Sequence, residues 1–313
     1  MAITSKSQIT LQVPAKVNPQ IRVGPLRQDG YHDITLAYQA ISIYDILTIS
    51  PSPNGPTIRV TGMDSERVPS NGQNLVIKAA NMVAAEARIE PLVHFELNKS
   101  IPSEAGLGGG SADAAAALVG CNILWNLNIS AKDLMHIGAQ LGEDVPFFVN
   151  GMMALGMGHK QPLVALETIG YTWNWVLGVP HRGLSTRAVF AQYDEILAQS
   201  DNPEEEYLLR RKDCIETPWG TTDPEKLLSE LVNDLERPSS ELLPDITIAL
   251  QAGKTAGAIR SLMSGSGSTC AFLAKDQTHA KSLMVELQKL DIFRDVRIAT
   301  GPVEGVKVID SSP

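Results

Sequence analysis

The sequence predicts an α+β protein of two domains. Its 313 residues exceed the size at which one hydrophobic core usually stops growing. Segments with the two-residue apolar alternation of strands are interleaved with segments of helical spacing along the chain. Because the pattern changes past residue 160, we expect a boundary between 150 and 175 and place the domains at 1–165 and 166–313.

The first half predicts strands, then helices and strands in alternation. Strand patterns cover 9–13, 34–49 and 92–97, and a turn cluster at 51–56 precedes a short strand at 57–61. Helical spacing covers 74–88, with Asn74 as its N-cap, and continues from the glycine-rich segment to about Trp125. Ser130 and Asp133 resemble a capping box that opens another helix, which Gly142 ends.

The second half predicts strands at 173–179, 260–263 and 269–274. Helical spacing covers 186–199, 227–234, 239–252 and 279–290. Residues 200–225 are polar and charged and predict a solvated loop with room for one short helix. This order of elements is typical of an α+β architecture.

Composition excludes several classes of protein. The net charge of −9 argues against a nucleic-acid partner, because phosphate contacts need clustered lysines and arginines. No apolar run approaches the ~18 residues of a membrane span, and residues 1–8 lack the apolar core of a secretory signal. Cys121, Cys214 and Cys270 form neither a metal pattern nor a disulfide framework. We therefore expect a cytoplasmic protein with small-molecule ligands.

The most informative segment is residues 102–115, which read PSEAGLGGGSADAA. Glycines let backbone N–H groups turn toward an anion, and the N-terminus of the following alanine-rich helix adds a partial positive charge. This glycine loop, Gly106–Ser111, therefore predicts a phosphate site. It fits neither the Walker pattern nor the dinucleotide fingerprint. The alternative is a glycine-rich turn that only caps a helix.

The segment PAKVN places Lys16 and Asn18 on one face of a strand. Such a lysine can point into a cleft, although an exposed strand lysine is the simpler interpretation. Tyr31 and His32 follow an Asp-Gly turn, where a ring can stack on a nucleobase and an imidazole can bond its edge. The alternative is a β-turn with a half-buried tyrosine.

The segment GEDVPFF places Asp144 directly before a hydrophobic run. A carboxylate in this position is a candidate general base if a lysine pairs with it. Its alternative is a helix cap. A second glycine turn, SGSGS at 264–268, could approach the phosphate loop or could simply connect two strands.

Together and in this order, these five segments resemble the GHMP kinase family over residues 13–274. The resemblance implies a ribosomal-S5-like N-terminal domain, a ferredoxin-like C-terminal domain and an ATP-dependent kinase that uses Mg²⁺. Most members carry GLGSSA in the loop. The triple glycine combined with DGYH resembles the members that phosphorylate the 2-hydroxyl of a cytidine diphosphate-linked methylerythritol in the non-mevalonate isoprenoid pathway.

The resemblance also implies roles for single residues. Asp144 would accept the hydroxyl proton, and Lys16 would hold Asp144 ionised. The cytidine would stack between Tyr31 and Phe190 and be read by His32. Asn18 would orient the hydroxyl, and Ser111 is the most reasonable contact for a metal whose ligands stay unknown. ATP contacts are implied at Asn74, Leu75, Val76, Lys99, Pro102, Gly106, Leu107, Gly108, Gly109, Gly110 and Ser111.

The chain departs from the family pattern at Pro19, Glu143 and Ser268, and residues 156–160 are looser. Pro19 removes a strand N–H and should bend its strand or place it at an edge. None of these changes removes a group that the reaction needs. Two other functions stay open: a silent nucleotide-binding protein of the same fold and a GHMP kinase for a non-nucleotide alcohol. We expect a monomer or a weak homodimer, with no nucleic acid or membrane as partner.

Overall fold

The computed structural model describes residues 8–158, 162–168, 172–219 and 227–312. Two mixed layers of sheet and helix form the molecule, as the sequence predicts. In the first, the strand order is β11-β1-β2-β4-β3, with β5 paired to β2 and to β6. Its strands are β1 (Gln8–Leu26), β2 (His32–Pro51), β3 (Thr57–Gly62), β4 (Val93–Lys99), β5 (Met153–Met157), β6 (Val164–Ala165) and β11 (Lys307–Ser312).

Helix α2 (Gly109–Leu124) packs on this sheet, and α1 (Leu75–Ala87), α3 (Ala131–Ala139) and α4 (Val145–Asn150) pack on α2. Helix α2 is rich in alanine because it lies against the sheet, with its alanines almost wholly buried. Small side chains there let the helix approach the long strands β1 and β2 closely. This contact fixes the N-terminus of α2 over the end of the sheet.

The second sheet is antiparallel in the order β10-β7-β9-β8. Its strands are β7 (Trp173–Pro180), β8 (Arg260–Met263), β9 (Cys270–Ala274) and β10 (Phe293–Gly301). The other helices are α5 (Thr186–Leu197), α6 (Pro203–Glu216), α7 (Glu236–Leu242), α8 (Asp245–Thr255) and α9 (Gln277–Gln288). The final strand, β11, pairs with β1, so the end of the chain returns to the first sheet.

Most predicted elements are confirmed within one to three residues at each end, although the strand predicted at 9–13 continues to Leu26. Three other predictions differ from the structure. The predicted loop at 200–225 contains the 14-residue helix α6, and its residues 220–225 lie outside the described ranges. The predicted helix at 227–234 is a series of turns, in which Asn233 forms an isolated bridge with Ile21. The predicted helix at 239–252 is split into α7 and α8 at Leu243 and Pro244, because the residue before a proline avoids the helical conformation.

Two further expectations concern single residues. The bend at Pro19 is confirmed, because the pairing of β1 with β2 shifts register between Val17 and Gln20. The prediction that Gly142 ends the helix opened by Ser130 is off by three residues, since α3 ends at Ala139. No helix among the described residues is long and apolar enough to cross a membrane.

Candidate active site

A cavity of about 780 Å³ lies between the two sheets and is lined by residues of four predicted segments. Lys16 and Asn18 reach it from β1, and Asp144 reaches it from the start of α4. Phe190 on α5 lines its opposite side. The glycine loop and the second glycine turn close it at one end, through Gly106, Gly108, Gly265, Ser266 and Gly267.

The predicted pair of Lys16 and Asp144 meets in this cavity. The Lys16 Nζ lies 3.8 Å from Asp144 Oδ2, and the lysine is only 4% exposed. Lys16 also donates to Asn18 Oδ1, while the Asn18 Nδ2 donates to the Ala37 carbonyl at 3.1 Å. Burial lowers the pKa of Lys16, and the Asp144 charge opposes part of that shift. The Asn18 amide thus holds the Lys16 amine close to the Asp144 carboxylate.

Tyr38 is a site residue that sequence reasoning missed. Its Oη donates to Asp144 Oδ1 at 2.9 Å, and its ring stacks on Phe147 at 4.8 Å. Burial and then the Asp144 charge raise the pKa of Tyr38 well above its ordinary value, so the hydroxyl stays a donor. Nothing in a strand pattern distinguishes this tyrosine from other core aromatics.

The glycine loop has the conformation that the sequence predicts. Gly106 and Gly108 have φ of 75° and 76°, which side chains other than glycine rarely adopt. Helix α2 begins at Gly109, and its first intrahelical bond runs from the Ala112 N–H to the Gly108 carbonyl at 2.9 Å. The preceding amides have no partner within the helix, which is the arrangement that can bind an anion. The Lys16 N–H donates to the Leu107 carbonyl at 3.0 Å, which ties the loop to β1.

A second cavity of about 360 Å³ adjoins the glycine loop. Asn74 stands at its wall, where Oδ1 accepts from the Val76 N–H at 2.8 Å and Nδ2 donates to the Pro69 carbonyl at 2.6 Å. Val76 and Leu107 are fully buried and do not line this cavity. The predicted residues that line it are Asn74, Leu75, Lys99, Pro102, Gly106, Gly108, Gly109, Gly110 and Ser111. Sequence reasoning missed Arg67, Val68 and Pro69, which form the wall next to Asn74 and belong to no motif.

Lys99 lies beneath the glycine loop in a buried ionic cluster. Its Nζ donates to Asp113 Oδ2 at 2.6 Å and also to Asp45. Burial opposes the charge of Lys99, but the two carboxylates outweigh it and raise the pKa of the lysine. The Asp45 Oδ1 accepts from the Ile101 N–H at 2.8 Å. The buried lysine therefore supports the glycine loop. Its role as an ATP contact stays a prediction.

His32 and Phe190 are brought together, with ring centroids 5.0 Å apart. The His32 Nδ1 lies 2.9 Å from the Gly24 carbonyl, and it must be the donor because a carbonyl only accepts. The other nitrogen, Nε2, lies 3.5 Å from Asp194 Oδ1. Tyr31 stands at the outer end of the turn and is 56% exposed. The imidazole borders a smaller cavity of about 240 Å³ beside Tyr38.

The second glycine turn, residues 264–268, belongs to the second sheet and contacts the glycine loop. The Ser264 Oγ donates to the Gly106 carbonyl at 3.4 Å. Asn233, another residue that sequence reasoning missed, donates through Nδ2 to the Met263 and Gly265 carbonyls, both at 2.8 Å. Ser268, one of the residues that depart from the family pattern, donates through Oγ to the Arg182 carbonyl at 2.8 Å. The turn thus completes the end of the cavity.

Comparison with known proteins agrees with this fold and site. The family model for the GHMP kinases N terminal domain matches residues 74–152, and the model for the GHMP kinases C terminal domain matches residues 222–290. The chain belongs to the GHMP kinase family.

Two relatives of similar sequence share one name. A relative from Nocardia farcinica is 42% identical over 304 residues, which cover 97% of each chain. One from Streptomyces coelicolor is 39% identical, over 96% of this chain and 99% of its own. Both are named 4-diphosphocytidyl-2-C-methyl-D-erythritol kinase.

Solved structures give the same result. A crystal structure of 4-(cytidine 5'-diphospho)-2C-methyl-D-erythritol kinase is 28% identical with a TM-score of 0.72, over 93% of this chain and 98% of its own. The homoserine kinase of Cytophaga hutchinsonii, at 19% identity and a TM-score of 0.69 over 99% of each chain, shares the fold.

Proposed function

We propose that the chain is an ATP-dependent kinase that phosphorylates the 2-hydroxyl of 4-diphosphocytidyl-2-C-methyl-D-erythritol in the non-mevalonate isoprenoid pathway. The single observation that carries the chemistry is the Lys16–Asp144 pair, whose charged atoms are 3.8 Å apart beside a phosphate loop. The near full-length relatives named for this activity support the choice of substrate.

The triphosphate of ATP would lie over the N-terminus of α2, where the backbone amides of the glycine loop supply donors without side-chain obstruction. The adenine would occupy the 360 Å³ cavity beside Asn74, Leu75 and the wall at 67–69. This places the γ-phosphate toward Gly108, which lines both cavities. Transfer would therefore run from the smaller cavity into the larger one.

Mg²⁺ would enter with ATP and neutralise the charge that develops on the phosphate oxygens. The described residues contain no group of three or more His, Cys, Asp or Glu side chains that could hold a metal ion. That composition fits a Mg²⁺ held mainly by ATP itself. The Ser111 hydroxyl, which lines the nucleotide cavity, is the proposed protein contact.

Asp144 is the proposed general base. About a third of its side chain is exposed to the cavity, so it can accept the proton of the 2-hydroxyl as that oxygen attacks the γ-phosphate. The Lys16 ammonium holds the carboxylate ionised and stabilises charge on the attacking oxygen. Asn18 uses both polar atoms of its amide within the protein. We therefore propose that it orients the hydroxyl indirectly, by fixing Lys16.

The cytidine would stack on Tyr31 and Phe190, an arrangement worth roughly 1–3 kcal/mol per stacked base. Because the His32 Nδ1 donates to Gly24, the base would bond Nε2, which in this structure lies 3.5 Å from Asp194 Oδ1 and would exchange that neighbour for the base. In the neutral imidazole, Nε2 is an acceptor and matches the amino group of cytosine rather than the carbonyl of uracil. This match supports a cytidylyl substrate over a plain alcohol.

We further propose a cytoplasmic enzyme that acts as a monomer or weak homodimer on a small molecule. Cys121, Cys214 and Cys270 are unpaired and buried, which suits a reducing compartment.

The test is ADP release by the purified protein with ATP, Mg²⁺ and each of three alcohols: the cytidylyl methylerythritol, mevalonate and homoserine. We expect turnover with the first alone. Asp144→Asn is the matched control and should reduce the rate by about 10²–10⁴ while ATP still binds. Turnover with mevalonate or homoserine would overturn the substrate assignment, and binding without turnover would favour a silent nucleotide-binding protein.

A further inference from the structure

Two arginines on strand β10 reach from the second sheet to the edge of the nucleotide cavity. The pairing of β10 with β7 shifts register between Phe293 and Asp295, so Arg294 is the extra residue of a bulge. Bulges redirect side chains, and this one lets Arg294 and Arg297 both reach the first sheet. Arg297 donates from Nη1 to the Ser100 carbonyl at 2.7 Å.

Arg294 binds a single carboxylate with both ends of its guanidinium. Its Nη1 and Nη2 donate to the Asp64 Oδ1 and Oδ2 at 2.8 and 2.9 Å. The carboxylate is 8% exposed and the arginine side chain 20% exposed, so solvent screens the pair only weakly. This hydrogen bonding holds the pKa of Asp64 below its ordinary value, and the carboxylate is therefore charged at neutral pH.

Asp64 in turn connects the two walls of the nucleotide cavity. Its Oδ2 accepts from the Ser103 N–H at 3.0 Å, and Ser103 belongs to the wall that leads into the glycine loop. Its backbone carbonyl accepts from the Arg67 N–H at 2.9 Å, and Arg67 begins the wall at 67–69. One residue thus bonds both walls, through its side chain and through its backbone.

We propose that Arg294 is a positioning residue for ATP: by holding Asp64, it sets the spacing of the two walls between which the nucleotide binds. The inference rests on the proposed function, in which this cavity takes ATP. Its consequence is that a residue of the second sheet controls nucleotide affinity without touching the nucleotide. The alcohol substrate occupies the other cavity, so its affinity should not change when Arg294 is replaced.

The test compares Arg294→Met with wild type by steady-state kinetics and by calorimetric binding of a non-hydrolysable ATP analogue. We expect KM for ATP and the Kd of the analogue to rise about tenfold, the effect of one charged hydrogen bond. KM for the alcohol and kcat at saturating ATP should stay unchanged. Arg294→Lys, which keeps one charged donor, should recover part of the affinity.

Two further variants make the result decisive. Asp64→Asn should raise KM for ATP in the same way, and the double variant should be no worse than either single one, because both act through one contact. The matched control is Arg22→Met, which removes another half-buried arginine, bonded to Asp234 at 3.2 Å. It should lower Tm without changing KM for ATP.

An Arg294→Met protein that loses Tm but binds the analogue with wild-type affinity would overturn the proposal and leave a purely structural ion pair. If wild type fails to bind the analogue at all, the proposed function fails and this inference fails with it. If wild type binds ATP but phosphorylates a different alcohol, only the substrate assignment fails.

Discussion

The Tyr38 hydroxyl donates to Asp144 Oδ1 at 2.9 Å, while Lys16 lies 3.8 Å from the other carboxylate oxygen, Oδ2. One oxygen of the proposed base is thus held by a buried neutral donor, and the other faces the lysine and the cavity. Because Tyr38 is stacked on Phe147, it fixes the rotation of the carboxylate. This relationship gives the base a defined orientation before any substrate enters.

Tyr38→Phe removes that donor while keeping the stacked ring. We predict that kcat falls about tenfold, since one hydrogen bond to a charged group is lost and the carboxylate can rotate. KM for ATP and for the alcohol should change little, because the hydroxyl binds neither. Steady-state kinetics measure this split. The control is Tyr44→Phe, on the same strand but outside the site, which should keep the wild-type kcat, and an equal loss in both variants would contradict the assignment.

The glycine loop should respond differently at its different positions. Gly106→Ala should lower Tm and weaken ATP binding, because φ is 75° and the new methyl group would press on the Ser264 carbonyl of the facing turn. Gly110→Ala is the matched control, since its methyl group would meet only Leu75 Cδ1 at 3.7 Å. We predict an unchanged or slightly raised Tm there. Calorimetry measures Tm and ATP binding for both variants. Equal Tm values for the two would mean that the loop is an ordinary turn.

Gly109 has no left-handed backbone, unlike Gly106 and Gly108. Valine at Gly109 should still weaken ATP binding, for a different reason. Its Cβ would lie 3.1 Å from both Ile101 and the Lys99 Nζ, so the buried lysine would have to move. Nucleotide titration of the folded variant tests this, and unchanged affinity would contradict it.

The pH dependence of the reaction should report Lys16. Burial places the pKa of this lysine below its ordinary 10.5, with Asp144 opposing part of the shift. Since the ammonium is the active form, kcat/KM should fall as pH rises through that lowered pKa, on the alkaline side below pH 10.5. The unfolded chain keeps this proton to higher pH, so Lys16 makes stability rise with pH between the two pKa values.

A pH–rate profile of the Lys16→Arg variant provides the control. Arginine does not titrate in this range, so the alkaline decrease assigned to Lys16 should disappear from whatever activity remains. An alkaline decrease at the same pH in the variant would assign it to another group.

Substitutions in the proposed cytidine site should affect KM for the cytidylyl alcohol and leave KM for ATP unchanged. Tyr31→Ala or Phe190→Ala should raise KM for the cytidylyl alcohol by the equivalent of about 1–3 kcal/mol, the loss of one stacking partner. KM for ATP should stay within experimental error, because neither residue borders the nucleotide cavity. A uridylyl substrate should be poor, because its carbonyl faces the acceptor Nε2 of His32. Equal use of an alcohol without the nucleotide would contradict the base site.

The helix α6 shows where local pattern fails. Its exposed surface is charged, and it buries only Tyr207 and Cys214 within 14 residues, so its apolar periodicity is too weak to predict a helix. It forms because those two side chains pack against the first sheet: the Tyr207 Oη lies 3.3 Å from the Thr35 hydroxyl of β2. A tertiary contact supplies what the sequence pattern lacks.

The sequence by itself determined the α+β class, the glycine loop and the identity of Lys16 and Asp144, because a phosphate loop and a charged pair need particular residue types at fixed spacings. Tyr38, Asn233 and Arg294 carry no local signal: each acts on a residue far away along the chain, and only tertiary packing brings the partners together. Tertiary packing also decided that Lys99 faces two carboxylates. Distances across a fold depend on how whole elements pack, and local residue patterns do not encode them.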